Sequence, residues 1–263
     1  MNLLFTLCGR GGSKGVKNKN IRSLLDIPLP YYPLGVIDHY CQRHPEDQVA
    51  VALSTDSREL MSLITRQKAV KVEIVERDGY LAGDIAPKAA VISHCLQQME
   101  QRFPITYDMV IDLDITSPMR TVYDVENGIE RKKRFMGMDC AFSVTTSRRN
   151  PYFNMIKQEN DVSSVVIPST YTTRQDAPAV YDMNASIYVY APSALKEKSP
   201  FGFFNTNCTS FLMKDFAILD IDSEQDFELM QVVAQYFFAK LPELEDMHQR
   251  AAVLATDAES RRK

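Results

Sequence analysis

The feature that most restricts this chain lies at its beginning. A short apolar run from Asn2 to Cys8 passes directly into Gly9-Arg10-Gly11-Gly12-Ser13-Lys14-Gly15-Val16-Lys17-Asn18-Lys19-Asn20. A buried strand that empties into a glycine-rich loop is the opening of an α/β unit, because only glycine tolerates so tight a reversal at the edge of a sheet. Strand and helix patterns then alternate. Gln48–Thr55 reads as a strand, with Asp56 and Ser57 offering caps for a helix running to about Lys68. Residues 70–75 form the next strand, 87–99 a helix that tolerates Pro87 in its first turn, and 107–114 a strand. A helix over 123–135 and a strand over 140–145 follow. This alternation predicts βαβ units, right-handed crossovers and a mostly parallel, Rossmann-like sheet with ligands at the carboxyl ends of its strands.

The alternation breaks after Ser147. Residues 152–156 and 162–167 read as a hairpin around Gln158-Glu159-Asn160-Asp161, followed by a polar segment over 169–176 and a strand over 185–190. The expectation is one domain over residues 1–240 with an arm protruding at about 147–183. A strand over 215–221 and a helix over 224–240 close it, leaving 241–263 as a helical tail that frays from Thr256. Of the 263 residues 45% are hydrophobic and 24% charged, which excludes a disordered or fibrous chain. The net charge of −4 argues against a nucleic-acid or membrane-surface partner. No apolar run approaches the roughly 18 residues of a spanning helix, and the opening stretch is too short for a signal peptide. Cys8, Cys41, Cys95, Cys140 and Cys208 lack the spacing of a metal or redox motif, so free thiols in a cytoplasmic protein are expected.

The glycine loop is the strongest chemical signal. Successive backbone N–H groups form an anion nest, and Arg10, Lys14 and Lys19 add positive charge, which suits a polyphosphate. A solvated basic turn is the alternative. The loop is not a Walker A motif, since Gly15 is followed by Val16-Lys17, nor a dinucleotide fingerprint, since Lys14 stands where the third glycine belongs. The second signal is acidic. Alternation along a strand points Asp220 and Asp222 to one side, as it does Asp112 and Asp114, and such carboxylate pairs are hard ligands for Mg²⁺ beside substrate phosphates. Asp222 could instead cap the helix that starts near Ser223. A cationic loop and acidic pairs on one sheet edge suit metal-assisted nucleotidyl transfer. Arg77 with Asp84 and Lys88, the run from Thr116 to Arg120, and Arg174 are less specific; singly, each cation reads as an ordinary surface residue.

In chain order these segments resemble the acylneuraminate cytidylyltransferases, the CMP-sialic acid synthetases. Arg10 through Gly15 with Lys19-Asn20 is similar to the family's R-x-x-S-K-G-x-x-x-K-N. Ser54-Thr55-Asp56 matches its S-T-D, Thr116-Ser117-Pro118-Met119-Arg120 its T-S-P-L-R, Asn184 through Tyr188 its N-G-A-I-Y, and Asp220-Ile221-Asp222 its D-I-D. The resemblance implies a single α/β domain with a dimerisation arm, hence a homodimer, and an enzyme that joins CTP to a nonulosonic acid with Mg²⁺. It further implies that Arg10, Gly11, Gly12, Ser13, Lys19, Asn20 and Arg77 bind CTP and that Asp220 and Asp222 hold the metal. Lys19, Arg10 and Asp222 would be catalytic, with Lys19 the main α-phosphate contact. Asp114, Thr116, Arg174, Asn184 and Tyr188 would line the sugar side, Arg174 facing the sugar carboxylate with its planar fork.

Two departures matter. Asp114 stands where the sialic acid enzymes carry a glutamine that faces the sugar, and Ala185 replaces the glycine of N-G-A. Asp114, Lys88 and the Arg149-Asn150-Pro151-Tyr152-Phe153-Asn154 run together resemble a bacterial branch that uses legionaminate-type acids. Competing readings are a GT-A glycosyltransferase with Asp112–Asp114 as its D-x-D, and a nucleotide-binding relative without activity.

Overall fold

A computed structural model of the chain describes residues 1–12, 15–77, 79–83, 86–173, 175–197 and 207–260. Its frame is a seven-stranded sheet. In chain order the elements that build it are β1 (Asn2–Cys8), β4 (Gln48–Thr55), β5 (Val72–Glu76), β6 (Met109–Leu113), β7 (Cys140–Thr146), β10 (Tyr181–Tyr190) and β11 (Cys208–Leu212). Across the sheet they lie in the order β11-β7-β10-β6-β1-β4-β5. Only β10 runs against its neighbours β6 and β7; the other pairings are parallel. The expected mostly parallel α/β sheet is therefore the one observed.

Side-chain alternation along β1 sends Leu3, Phe5 and Leu7 to one face and Leu4 to the other, each fully buried. The first face is covered by α1 (Tyr31–Arg43), α2 (Arg58–Arg66), α4 (Val122–Arg134), α6 (Glu224–Phe238) and α7 (Pro242–Ser260), and the second by α3 (Lys88–Arg102) and α5 (Pro192–Glu197). Caps set several helix starts. Ser57 accepts the Leu60 N–H, while Thr121–Asp124 and Ser223–Asp226 form reciprocal capping boxes.

Three segments depart from the sequence reading. Helix α1 was not expected, because its Tyr-Tyr-Pro-Leu-Gly start is poor in helix formers. It forms because it is buried: a Cβ on Gly35 would lie 3.2 Å from the Ala251 nitrogen of α7, so glycine permits the close approach. The strand expected over 215–221 is instead β11, several residues earlier. Its ladder with β7 ends at Leu212–Val144, and the chain then turns through a short 3₁₀ helix, Asp215–Ile218. The C-terminal segment is helical as expected, but it does not fray at Thr256: α7 continues to Ser260, with Ala258 buried. Leu244, Met247 and Leu254 of α7 are at most 3% exposed, and burying each such side chain contributes roughly 1.5–3 kcal/mol.

The arm is a two-stranded hairpin, β8 (Ile156–Glu159) with β9 (Val162–Val165), closed by Asn160 and Asp161 with φ of 48° and 64°. Its first strand begins later than expected because the Asn150 carbonyl gathers the N–H groups of Phe153, Asn154 and Met155 into a turn. A second hairpin, β2 (Ser23–Leu24) with β3 (Ile27–Pro28), follows the glycine loop.

Candidate active site

The parallel strands β1, β4, β5 and β6 all end on one edge, and the segments that leave them meet there. Gly9 N–H bonds to the Ser54 carbonyl, and the Gly11 N–H donates to Asp56 Oδ1 at 2.8 Å. Asp56 thus does not cap α2, which Ser57 does; it fixes the glycine loop. Asn20 donates to the Arg10 carbonyl at 2.9 Å, closing the loop from its far end. In this arrangement the Gly11 amide and the Asn20 side chain shape the loop. The space they frame is a cavity of about 270 Å³ lined by Arg10, Lys19, Asn20, Arg77, Lys88, Asp114 and Thr116. Ser13, Lys14, Asp84 and Arg174 lie outside the described residues.

The loop and the late acidic motif come together across more than 200 residues of chain. Lys19 Nζ donates to Asp222 Oδ1 at 2.7 Å. A Cβ on Gly15 would sit 2.1 Å from the Asp222 carbonyl oxygen, so the loop backbone lies directly against this segment. The capping alternative for Asp222 fails, since Ser223 and Asp226 cap α6 between themselves. Asp220 is half-buried. Burial, then the charges of Asp222 and Asp114, hold its carboxyl above the usual carboxylate range, and Lys19 only partly offsets them. Two hard oxygen donors beside a third carboxylate form a set short of positive charge, so the residues present fit a divalent cation such as Mg²⁺.

The other acidic pair has a different partner. Lys88 Nζ lies 2.9 Å from Asp112 and 2.7 Å from Asp114. Burial opposes the ammonium, but the two carboxylates outweigh it and hold its pKa above the ordinary value. Asp114 is held well below the carboxylate range for the reciprocal reason: burial would raise it, yet Lys88 and the Thr116 hydroxyl and N–H prevail. With the 0%-exposed Asp112 also accepting from Thr6 Oγ1 at 2.8 Å and the buried Arg120 guanidinium near both, the Asp112–Asp114 pair is counter-charged from within and does not have the open carboxylates of a D-x-D metal site. Tyr188 stands beside this group, its ring centroid 5.5 Å from Lys88 Nζ, and burial pushes its hydroxyl up to about 12.

Among the described cations read singly as surface residues, Arg77 and Arg120 are also not so placed. Arg77 lies across the end of β4, donating to the Ser54 carbonyl at 3.1 Å. Arg120 is fully buried; its guanidinium holds the carbonyls of Asp114, Ser117 and Ser186, and burial pushes its pKa down to about 10. Asn184 does not open onto the cavity as expected. It is 2% exposed, its amide oxygen taken by Ser143 Oγ and its nitrogen by the Ala217 carbonyl, where it anchors the turn leading to Asp220. Ala185 has φ 54°, the left-handed conformation that accounts for glycine at this place in the related motif.

Compared with known proteins, residues 7–256 match the family model described as cytidylyltransferase. The chain is 35% identical over 230 residues to the CMP-N,N'-diacetyllegionaminic acid synthase of Campylobacter jejuni, covering 87% of this chain and 93% of that one. It is 33% identical over 229 residues to post-translational flagellin modification protein B of Campylobacter coli, with the same coverage. Among solved structures, CMP:2-keto-3-deoxy-manno-octonic acid synthetase complexed with CTP superposes with a TM-score of 0.61 at 12% identity, over 90% of this chain and 99% of that one. A 4-diphosphocytidyl-2C-methyl-D-erythritol synthase from Anaerococcus prevotii does so with 0.56 at 10% identity, over 89% and 97%. These two likenesses concern the fold.

Proposed function

The chain belongs to the cytidylyltransferase family, and from that premise we propose that it joins CTP to a nonulosonic, sialic-acid-like sugar acid, yielding a CMP-sugar and pyrophosphate. One observation carries the reading: the cationic glycine loop and the Asp220–Asp222 segment, distant in sequence, meet where Lys19, which lines the cavity, pairs with Asp222. A triphosphate needs the first and its counter-ion the second.

In this reaction the sugar's 2-hydroxyl oxygen forms a bond to the α-phosphorus, the bond to the bridging oxygen of the β-phosphate breaks, and the hydroxyl proton is lost. Lys19 and Arg10, both of which line the cavity, would stabilise the charge that builds on the α-phosphate oxygens. Asp220 and Asp222 would hold Mg²⁺, which supplies charge neutralisation on the phosphates when bound. Arg77 closes the nucleotide side, while Asp114, Thr116, Lys88 and Tyr188 form the side open to the sugar. The likeness to the legionaminic acid synthase supports a legionaminate-type acid, as does an ammonium–carboxylate pair where the sialic acid enzymes have an amide. The product would serve a surface glycan.

The arm supports a homodimer. Ile156 and Val162 are about two-thirds exposed, and Phe153, Met155 and Tyr171 are exposed beside them, which is apolar surface that a second copy would cover. Among the described residues no helix is long and apolar enough to cross a membrane. We place the enzyme in the cytoplasm, where CTP is made, with no nucleic-acid or membrane partner. The test is a panel of N,N'-diacetyllegionaminate, pseudaminate and N-acetylneuraminate with each of the four nucleoside triphosphates and magnesium, read as pyrophosphate release. Release with CTP and a legionaminate-type acid is expected. CTP binding without turnover of any sugar acid would support the inactive relative instead.

A further inference from the structure

The segment carrying Lys19 is held against the start of α6 at points stepping away from the cavity. Lys19 meets Asp222 at 2.7 Å. Three residues on, Arg22 Nη1 donates to both carboxylate oxygens of Glu224, at 2.9 and 2.7 Å, and its guanidinium carbon lies 3.8 Å from the centroid of the Phe227 ring. Beyond that, the Leu25 N–H donates to Gln231 Oε1 at 3.1 Å. Phe227 is 4% exposed and belongs to the main core, so it gives the guanidinium a fixed floor.

These contacts differ in what ligand binding does to them. If the Lys19 ammonium serves a phosphate and the Asp222 carboxylate a cation, as the proposed function requires, their mutual ion pair loosens when both are engaged. Arg22 and Glu224 have no such competing duty. Neither lines the cavity, yet Arg22 is three residues from Lys19, which does, and Glu224 is two from Asp222, which Lys19 grips; the Arg22 carbonyl accepts the Leu29 N–H at 2.8 Å, anchoring the segment behind it. We propose that Arg22 is a positioning residue for nucleotidyl transfer: its clamp on Glu224 and Phe227 keeps Lys19 and the Asp220–Asp222 acids in register once their direct ion pair is broken. This inference rests on the proposed function of the same site.

The pair is partly exposed, with side chains 31% and 55% accessible, so its contribution to stability is small and its removal leaves a folded protein. The test uses Arg22→Met, Arg22→Lys, Glu224→Gln and the exchanged pair Arg22→Glu/Glu224→Arg. Each is assayed for pyrophosphate release, for CTP binding by calorimetry with saturating magnesium chloride, and for thermal unfolding. Arg22→Met is expected to lower kcat about tenfold or more, because ångström-scale misplacement of a charge-stabilising group is that costly. KM and Kd for CTP should move by no more than about threefold and Tm by no more than about 4 °C. Glu224→Gln should reproduce the loss without adding to it, Arg22→Lys should fall between, and the exchanged pair should recover part of kcat. An unchanged kcat, a loss confined to Tm, or additive losses from Arg22 and Glu224 would overturn the inference while leaving the function intact. Wild-type protein that neither binds CTP nor releases pyrophosphate would overturn both. Should Arg22→Met fail to fold, Arg22→Lys and Glu224→Gln decide the matter.

Discussion

Gly15→Ala tests the junction between loop and acids most directly. A Cβ built at Gly15 lies 2.1 Å from the Asp222 carbonyl oxygen, and both are backbone-defined positions without a flexible side chain to give way. Carbon–oxygen contacts of about 3.3 Å are the close limit in ordinary structures, so loop or acidic segment must retreat by roughly 1 Å. Lys19 rides on the loop only four residues later, and Asp222 carries both the carbonyl in the clash and the carboxylate that Lys19 grips. A displacement of that size at a catalytic contact costs on the order of 100-fold in rate, about 2.7 kcal/mol of transition-state stabilisation. Gly15 is itself exposed, so the displacement should be read first in rate, and thermal unfolding measures what part of it reaches the buried Val16 beside it. The assay is kcat and kcat/KM for pyrophosphate release alongside thermal unfolding. Gly12→Ala is the comparison, since among the described residues a Cβ there meets nothing within 4 Å beyond its chain neighbours, so a loss reports approach of the nucleotide. A Gly15→Ala enzyme within about threefold of wild type would refute the reasoning, because the backbone contact would then be irrelevant to the chemistry.

Lys19→Ala should lower kcat by about 100-fold, as loss of a charge-stabilising donor does, while an ion pair to the largely exposed Asp222 changes stability by less than about 1 kcal/mol; urea unfolding measures the second. Ala185→Gly should be neutral or stabilising by up to about 1 kcal/mol, since relief of left-handed strain exceeds glycine's entropic cost, and equilibrium unfolding reports the sign. His248, packed 4.8 Å from the Phe238 ring and 6.0 Å from that of Tyr32, is held by burial below the ordinary imidazole pKa. It stays neutral in the fold while the unfolded chain takes up its proton first, so stability is lost as pH falls below about 6.5, and His248→Phe should flatten unfolding free energy against pH between about 7 and 5.

What could be read in the sequence and what could not divide along physical lines. Periodicity is local, so strands such as Gln48–Thr55 and helices such as α4 were legible within a residue or two. The loop and the D-I-D were legible as chemistry because glycine, lysine and aspartate have few reasons to cluster at strand ends. Helix α1 was illegible for the opposite reason: Pro33 and Gly35 lower its propensity, and only packing against α7, more than 200 residues away, overrides them. Asp56 shows a subtler limit. A strand-terminal aspartate before a helix reads as a cap, but the neighbouring serine takes that role and the carboxylate turns to the Gly11 N–H, a choice made by geometry across 45 residues.

Charge is where sequence reasoning was most apt to mislead, and the reason is general. A lysine or arginine reads as a surface residue because burying it unpaired is costly, so Arg77, Lys88, Arg120 and Arg174, taken singly, each read as exposed. The fold judges them together. Lys88 is half-buried because β6 brings Asp112 and Asp114 to it, and Arg120 is fully buried because three carbonyls from two segments converge on its guanidinium. The same closure explains why two acidic pairs with identical spacing have different fates. Asp112 and Asp114 sit where α3 supplies an ammonium from behind the sheet edge, so their charge is satisfied within the fold. Asp222 is instead 72% exposed, its partner Lys19 lines the cavity where a phosphate can draw the ammonium away, and Asp220 remains in excess of the positive charge around it. A carboxylate pair is open to a metal only where its oxygens are accessible and its counter-charge is removable, and that is the ground on which the second pair is proposed over the first.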